Sequence, residues 1–243
     1  MTNLQIEHLV ERWEDRRDVK NQMGKYVHYL LLKKEADIVK DLWSQRDDIC
    51  YGVNDGWYEG RKAVEDYYGW FPGYTAKVAA CLKARFPEKL GDKSDEEIFG
   101  VGLMELKSVS NYVIEVAEDG ETAKAYCCIF GFNTTVDTRG PVSHWILGTI
   151  CADFVYEDGL WKILHMQYLE DINAPSGTDW GAKEPTKVFP DLPEFESLRG
   201  LTPPAPTKAE VLHARYSGTR ATSQMPPLPV PYKIFADTFS YGV

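Results

Sequence analysis

Along the first thirty residues, Leu9, Val10 and Trp13 open an apolar stripe that Val19, Met23, Tyr26 and Leu30 continue at helical spacing. The pattern predicts a long opening helix, and a second, short one over about Ala36 to Trp43. Two short strands follow, Ile49–Val53 and Trp57–Glu59, joined by a turn at Asn54-Asp55-Gly56. Helical patterns return from Arg61 to about Tyr68 and from Tyr74 to Phe86, and Pro87–Asp95 reads as a surface loop. From Phe99 onward the pattern is that of strands. Glu105–Val116 turns at Glu118-Asp119-Gly120 into Thr122–Asn133, and Ser143–Tyr156 turns at Glu157-Asp158-Gly159 into Leu160–Leu169. Helices followed by long antiparallel strands predict an α+β fold, with the helices covering one face of the sheet.

Prolines divide the chain. Eleven of the fourteen lie after Ala174, and residues 175–243 carry seven basic and seven acidic side chains. The whole formal charge of -10 therefore belongs to residues 1–174, which read as the folded domain, with 175–243 as an extended Pro-rich arm. Disordered segments are poor in aromatic and large apolar residues. The arm instead carries Trp180, Phe189, Leu192, Phe195, Leu198, Leu201, Val211, Leu212, Phe235, Phe239 and Tyr241, as a strap lying on the domain or on a neighbouring subunit would. Thr207 is placed to cap one short helix over 207–216.

The charge would repel a polyanion, and no basic run interleaved with aromatics occurs, so nucleic acid is not an expected partner. Five cysteines, an odd number without a CxxC pair, fit neither a disulfide framework nor a zinc site. With no secretory leader and no apolar run of membrane-spanning length, the expectation is a cytoplasmic protein that does not cross a membrane. No HExxH, GxSxG, P-loop or GxGxxG motif is present and the histidines are scattered, so no metal or cofactor is expected.

Three stretches, taken in order, resemble the nuclear-transport-factor-2-like superfamily in its SnoaL-like branch. They are Asp15-Arg16-Arg17-Asp18-Val19 with Met23 and Tyr26; Asn111 to Val116 followed by Asp119 to Lys124; and Asp153 to Ile163 ending in His165. The resemblance spans about residues 10–172. It implies a conical barrel in which a curved, mostly antiparallel sheet wraps the N-terminal helices. Polyketide cyclases and the scytalone and bile-acid dehydratases belong to this branch and move protons without a cofactor. It thus implies a lyase or isomerase (dehydratase, retro-aldol lyase or cyclase) acting on a hydrophobic aromatic or polycyclic oxygenated molecule; the arm in turn suggests a homo-oligomer of two or three chains, in which it crosses to a neighbour or lids the pocket. The same fold also hosts non-catalytic binding and assembly proteins, which is the alternative.

Four side chains are candidates for the chemistry. Tyr26 lies on the apolar stripe, where its phenol would donate to a carbonyl oxygen. Several dehydratases of the branch carry an Asp five residues beyond this Tyr; here Leu31 stands there. Relatives often carry His near Lys107, which as a pocket lysine would act as base, oxyanion partner or Schiff-base nucleophile. Strand alternation puts His165 on one face with Trp161 and Ile163, and Lys107 on one face with Asn111. Asp153 is the reserve carboxylate. Tyr51, Trp57, Tyr58, Asn111, Phe130 and Trp145 are the expected substrate-binding side chains, a set suited to a flat aromatic ligand.

Overall fold

The computed structural model describes residues 2–178, 190–219 and 226–243; Trp180 and Phe189 of the arm lie outside these. Helix α1 (Asn3–Leu31) is followed by α2 (Glu35–Leu42), strands β1 (Cys50–Val53) and β2 (Gly56–Glu59), and helix α3 (Arg61–Arg85). Two single-turn helices, α4 (Pro87–Leu90) and α5 (Asp95–Ile98), precede β3 (Glu105–Val116), β4 (Thr122–Asp137), β5 (Gly140–Glu157) and β6 (Leu160–Pro175). A two-residue β7 (Lys208–Ala209) lies in the arm. The sheet order is β3-β4-β5-β6-β1-β2-β7, antiparallel throughout except where β1 runs parallel to β6. The expected α+β architecture, helices on a curved and mostly antiparallel sheet, is the one observed.

The concave face of the sheet and the helices enclose the main core. Val19, Met23, Tyr26, Val27 and Leu30 of α1 meet Ala123, Ala125, Cys127 and Ile129 of β4, Ile150, Ala152 and Phe154 of β5, and Met166 and Tyr168 of β6. Four small side chains on β4 and β5 (Ala123, Ala125, Cys127, Ala152) leave room there for large rings from the helices. The stripe expected to begin at Leu9 starts burying only near Val19: Leu9, Val10 and Trp13 are 54%, 51% and 68% exposed. At 1.5 Å per residue, a 29-residue helix is roughly 43 Å long and overruns the sheet it covers. Its first anchors are Arg12, donating to the Val116 carbonyl at 2.7 Å, and Asp15, accepting from Trp161 Nε1 at 3.0 Å.

The two helical segments expected over 61–86 form one helix of 25 residues, through Gly69, Pro72 and Gly73. Pro72 has no N–H for the carbonyl four residues back, so local propensity favours a break. Burial at both ends overrides it. Val64 and Tyr68 enter the main core, whereas Val78, Cys81 and Leu82 enter a second one with Leu103, Val136, Phe195 and Leu198. The expected loop 87–95 contains α4, and α5 begins with a capping box in which Ser94 and Glu97 satisfy each other's backbone N–H groups.

The arm wraps this body. Residues 193–198 form a 3-10 turn that brings Phe195 and Leu198 into the second core. The helix expected over 207–216 is absent; instead β7 pairs with the β2 edge, Trp57 opposite Lys208, and Leu212 donates its N–H to the Asn54 carbonyl at 2.9 Å. Pairing with an exposed strand edge satisfies backbone groups that an isolated short helix would leave to water. Residues 226–243 cross the outer face of the sheet, where Glu118 and Asp119 donate to the carbonyls of Tyr232 and Lys233 at 3.1 and 3.2 Å.

Three single-residue bulges decide which side chains face the helices. The β3–β4 register shifts between Ser110 and Val113, where Asn111 has a φ of 53°. On β6 the register with β5 shifts at Leu164, between Ile163 and His165, and again near Asp171. Each bulge exchanges the inner and outer faces for the residues beyond it.

Candidate functional site

Inside the cone the rings form one wall. Tyr26 is buried and its hydroxyl lies 3.1 Å from that of Tyr68. The Tyr51 ring lies 5.0 Å from Tyr67, 5.3 Å from Tyr68 and 6.3 Å from Tyr58, and Tyr58 and Tyr67 are 4.7 Å apart. Burial raises the phenols of Tyr26, Tyr51, Tyr67 and Tyr68 above their usual range, so they stay neutral donors.

Next to this wall sits a charged cluster. Lys107 Nζ donates to Glu105 Oε1 and lies 4.8 Å from the centre of the Tyr168 ring. Lys33 Nζ donates to the other Glu105 oxygen at 3.1 Å and stands 3.9 Å from Glu35. Lys33 reaches it from the α1–α2 turn through a left-handed backbone, φ 55°. The Tyr168 hydroxyl is buried and has no hydrogen-bond partner among the described residues. Lys107 is the group near enough to act on it, and as an ammonium it can only donate, which leaves the phenol's own proton without an acceptor among the described residues.

The ionisation states follow from this packing. Burial alone would lower Lys107, but the Glu105 carboxylate more than offsets it and raises the ammonium above the usual lysine range. Lys107 is thus a permanent cation; the base and Schiff-base roles open to a lysine of lowered pKa do not fit it. Burial raises Glu105 as well, yet Lys107 and Lys33 together bring it down to about 2. Glu35 moves the other way. Burial pushes its carboxyl up to about 7, against its own backbone N–H and the Lys33 charge, which lower it. A carboxyl that titrates near neutrality is suited to accept and return a proton.

Of the side chains singled out in the sequence, Tyr26, Lys107, Tyr51 and Tyr58 face the cone. The others lie elsewhere, and a structural reason accounts for each. The bulge at Leu164 turns His165 away from the core containing Ile163 and Trp161, onto the outer face opposite Asp153. There His165 Nδ1 lies 2.9 Å from Asp153 Oδ2, under Ser240 and Gly242 of the arm. The bulge in β3 likewise turns Asn111 outward, with its amide 3.8 Å from Cys128 Sγ. Phe130 and Trp145 belong to an outer aromatic group with Phe132, and Trp57 lies over Gly52 on the side of Leu212. Tyr26, Lys107 and His165 therefore do not converge.

Glu35, Glu105 and Lys33 complete the inner cluster and were not anticipated. For Glu35 a signal existed: it stands three, four and seven residues before Ile38, Val39 and Leu42, on the buried face of α2. Lys33 gave none, since only its positive φ aims it inward. Among the described residues, no group of three or more His, Cys, Asp or Glu side chains could hold a metal ion, and no helix is long and apolar enough to cross a membrane.

Residues 11–167 match the family described as the SnoaL-like domain. No curated protein matches the chain. Among solved structures, the chain is similar to the hexachlorocyclohexane dehydrochlorinase LinA-type3 from Novosphingobium barchaimii LL02, at 12% identity and a TM-score of 0.46, over 72% of this chain and 99% of that one. It is similar to an NTF2-like protein with a cystatin-like fold from Novosphingobium aromaticivorans, at 14% identity and a TM-score of 0.44, over 70% and 90%. It is also similar to Rv3472, a Mycobacterium tuberculosis protein of unknown function, at 14% identity and a TM-score of 0.45, over 68% and 76%.

Proposed function

We infer that this chain, which belongs to the SnoaL-like domain family, is a cofactor-independent lyase acting on a hydrophobic, oxygenated aromatic molecule inside the cone. One observation carries the reading. A fixed ammonium, Lys107, lies over the ring of a buried tyrosine, Tyr168, whose hydroxyl has no neighbour but that ammonium to interact with among the described residues, beside a wall of five more tyrosines. A dry site with two donors and no acceptor of its own for the second of them favours an oxygen that gains negative charge.

Dehydration is the lead reaction. The substrate's carbonyl oxygen accepts from Tyr168 Oη and Lys107 Nζ. The Glu35 carboxylate takes the proton from the carbon next to that carbonyl, and the electron pair moves onto the oxygen as an enolate. As the enolate collapses, the C–O bond to the neighbouring hydroxyl breaks, and Glu35 returns its proton to the departing oxygen as water. Lys33 and Glu105 position Lys107 and set the charge that Glu35 feels. Retro-aldol cleavage and cyclisation would use the same donors and the same carboxyl.

Access to the site requires movement of the α3 segment that carries Tyr67 and Tyr68. Gly69, Pro72 and Gly73 make that stretch the weakest in the helix, and a Cβ at either glycine would meet nothing within 4 Å. The closeness of the tyrosine packing favours a second reading, a protein that binds its ligand without turning it over. The two are separated by mixing the protein with β-hydroxy ketones of naphthalene and following the absorbance of the conjugated product. Turnover that falls at least about 100-fold in both Lys107→Met and Glu35→Gln supports the lyase. Binding without turnover selects the second reading, and equal turnover in both variants refutes the assignment.

A further inference from the structure

On the outer face, behind the cone, Lys124 of β4 and Asp153 of β5 stand directly opposite each other in the register, and both side chains are 0% exposed. Lys124 Nζ lies 2.5 Å from Asp153 Oδ1. Residues 226–243 of the arm close over the pair. The rings of Tyr232, Phe235, Phe239 and Tyr241 stand 5.9, 4.7, 4.6 and 5.1 Å from Nζ. The second carboxyl oxygen, Oδ2, accepts from the Tyr241 backbone N–H at 2.8 Å and from Ser240 Oγ at 2.9 Å, with His165 Nδ1 at 2.9 Å.

Such an arrangement exceeds what an ion pair needs. A pair worth little beyond its own desolvation gains nothing from being sealed by four rings. It does contain each part of an acyl transfer: an amine in contact with a carboxyl group, closure from bulk solvent, and Tyr241 N–H, Ser240 O–H and His165 Nδ1 around the oxygen that would become the oxyanion. We propose that Lys124 and Asp153 join in an intramolecular amide, formed once the arm has folded over them. The amine gives one proton to Oδ1, and its freed electron pair forms the N–C bond at Cγ. Charge collects on Oδ2, where Tyr241 N–H, Ser240 O–H and His165 hold it. The C–Oδ1 bond then breaks, Oδ1 leaves as water with a second proton from the nitrogen, and the ammonium and carboxylate have become an amide and one water. Atoms and charge balance without any further reactant. Burial lowers the Lys124 ammonium against the opposing pull of Asp153, which eases the first proton transfer.

The bond would tie β4 to β5 at the point where the arm docks. The test is the mass of the full-length protein after denaturation. The expected result is a chain lighter than its sequence mass by one water, with a branched tryptic peptide joining Lys124 to Asp153 and no cleavage after Lys124. Asp55-Gly56, Asp119-Gly120 and Asp158-Gly159 can each lose water as a cyclic imide, so the loss must map to the Lys124–Asp153 pair. Asp153→Ala, and a chain ending at residue 225, should both regain the full mass. A wild-type protein at its full sequence mass overturns the proposal, and so does a loss of water located elsewhere.

Discussion

Replacing Glu35 by glutamine tests the charge state of the cone directly, without any substrate. In the unfolded chain this carboxyl ionises near its ordinary value of 4.5; in the folded protein burial holds the proton until about pH 7. Between those values the native state binds more protons than the unfolded state. The contribution of Glu35 to stability is thus fully present below pH 4.5 and is lost as pH rises through 7. The difference corresponds to about 3 kcal/mol lost across that window, and somewhat less if water reaches the carboxyl as the helices breathe. Glutamine fills the same space and carries no charge at any pH. Urea unfolding of both proteins from pH 4 to 8.5 should give equal stabilities at the acid end, with Glu35→Gln more stable by about 2–3 kcal/mol at the basic end. Glu105 does not confuse the comparison, since its carboxyl is held at about 2 and its stabilising contribution, lost as pH falls, is common to both proteins. A wild-type minus variant difference that stays flat with pH would refute the reasoning, because Glu35 would then be an ordinary ionised carboxylate.

Three further outcomes follow from the packing. Gly148→Ala should cost at least about 2 kcal/mol in urea unfolding, because a Cβ there would overlap the Leu169 carbonyl oxygen and lie 2.9 Å from the Glu170 Cα, both on the neighbouring strand. Trp13→Ala should change stability by less than about 0.5 kcal/mol while Met23→Ala costs about 2–5, one residue being solvent-facing and the other fully buried on the same helix. The arm led to the expectation of a homo-oligomer of two or three chains, and light scattering that reports a particle of 27.6 kDa would overturn it.

What the sequence made legible, and what it hid, divides along a physical line. Turns with Asn-Asp-Gly, Glu-Asp-Gly and apolar alternation located the starts of the first six strands to within three residues, because those signals are local, whereas β4 and β6 run four and six residues beyond their expected ends. Lys107, Tyr51 and Tyr58 were named as site residues and do face the cone, although alternation by itself said only that Lys107 shares a face with Asn111. Asn111 and His165 were misassigned because one extra residue, at the β3 bulge and at Leu164, reverses every later parity, and Leu164 looks like any other apolar strand residue. The union of two helical segments across Pro72 and the strand at 208–209 depend on what packs against them, which periodicity does not report. Glu35 was readable from its place among Ile38, Val39 and Leu42; charged residues on an apolar helix face deserve the same scrutiny as missing ones.

The Leu164 bulge also has a bearing on descent. Were that residue deleted, Phe154 and Asp153 would pair with Ile163 and His165 in unbroken register, and His165, Met166 and Tyr168 would all keep their present faces. The bulge therefore absorbs one extra codon at this point without exchanging side chains between the chamber and the arm-covered exterior. Kin of this protein that lack the residue would present the same row of β6 side chains to a ligand.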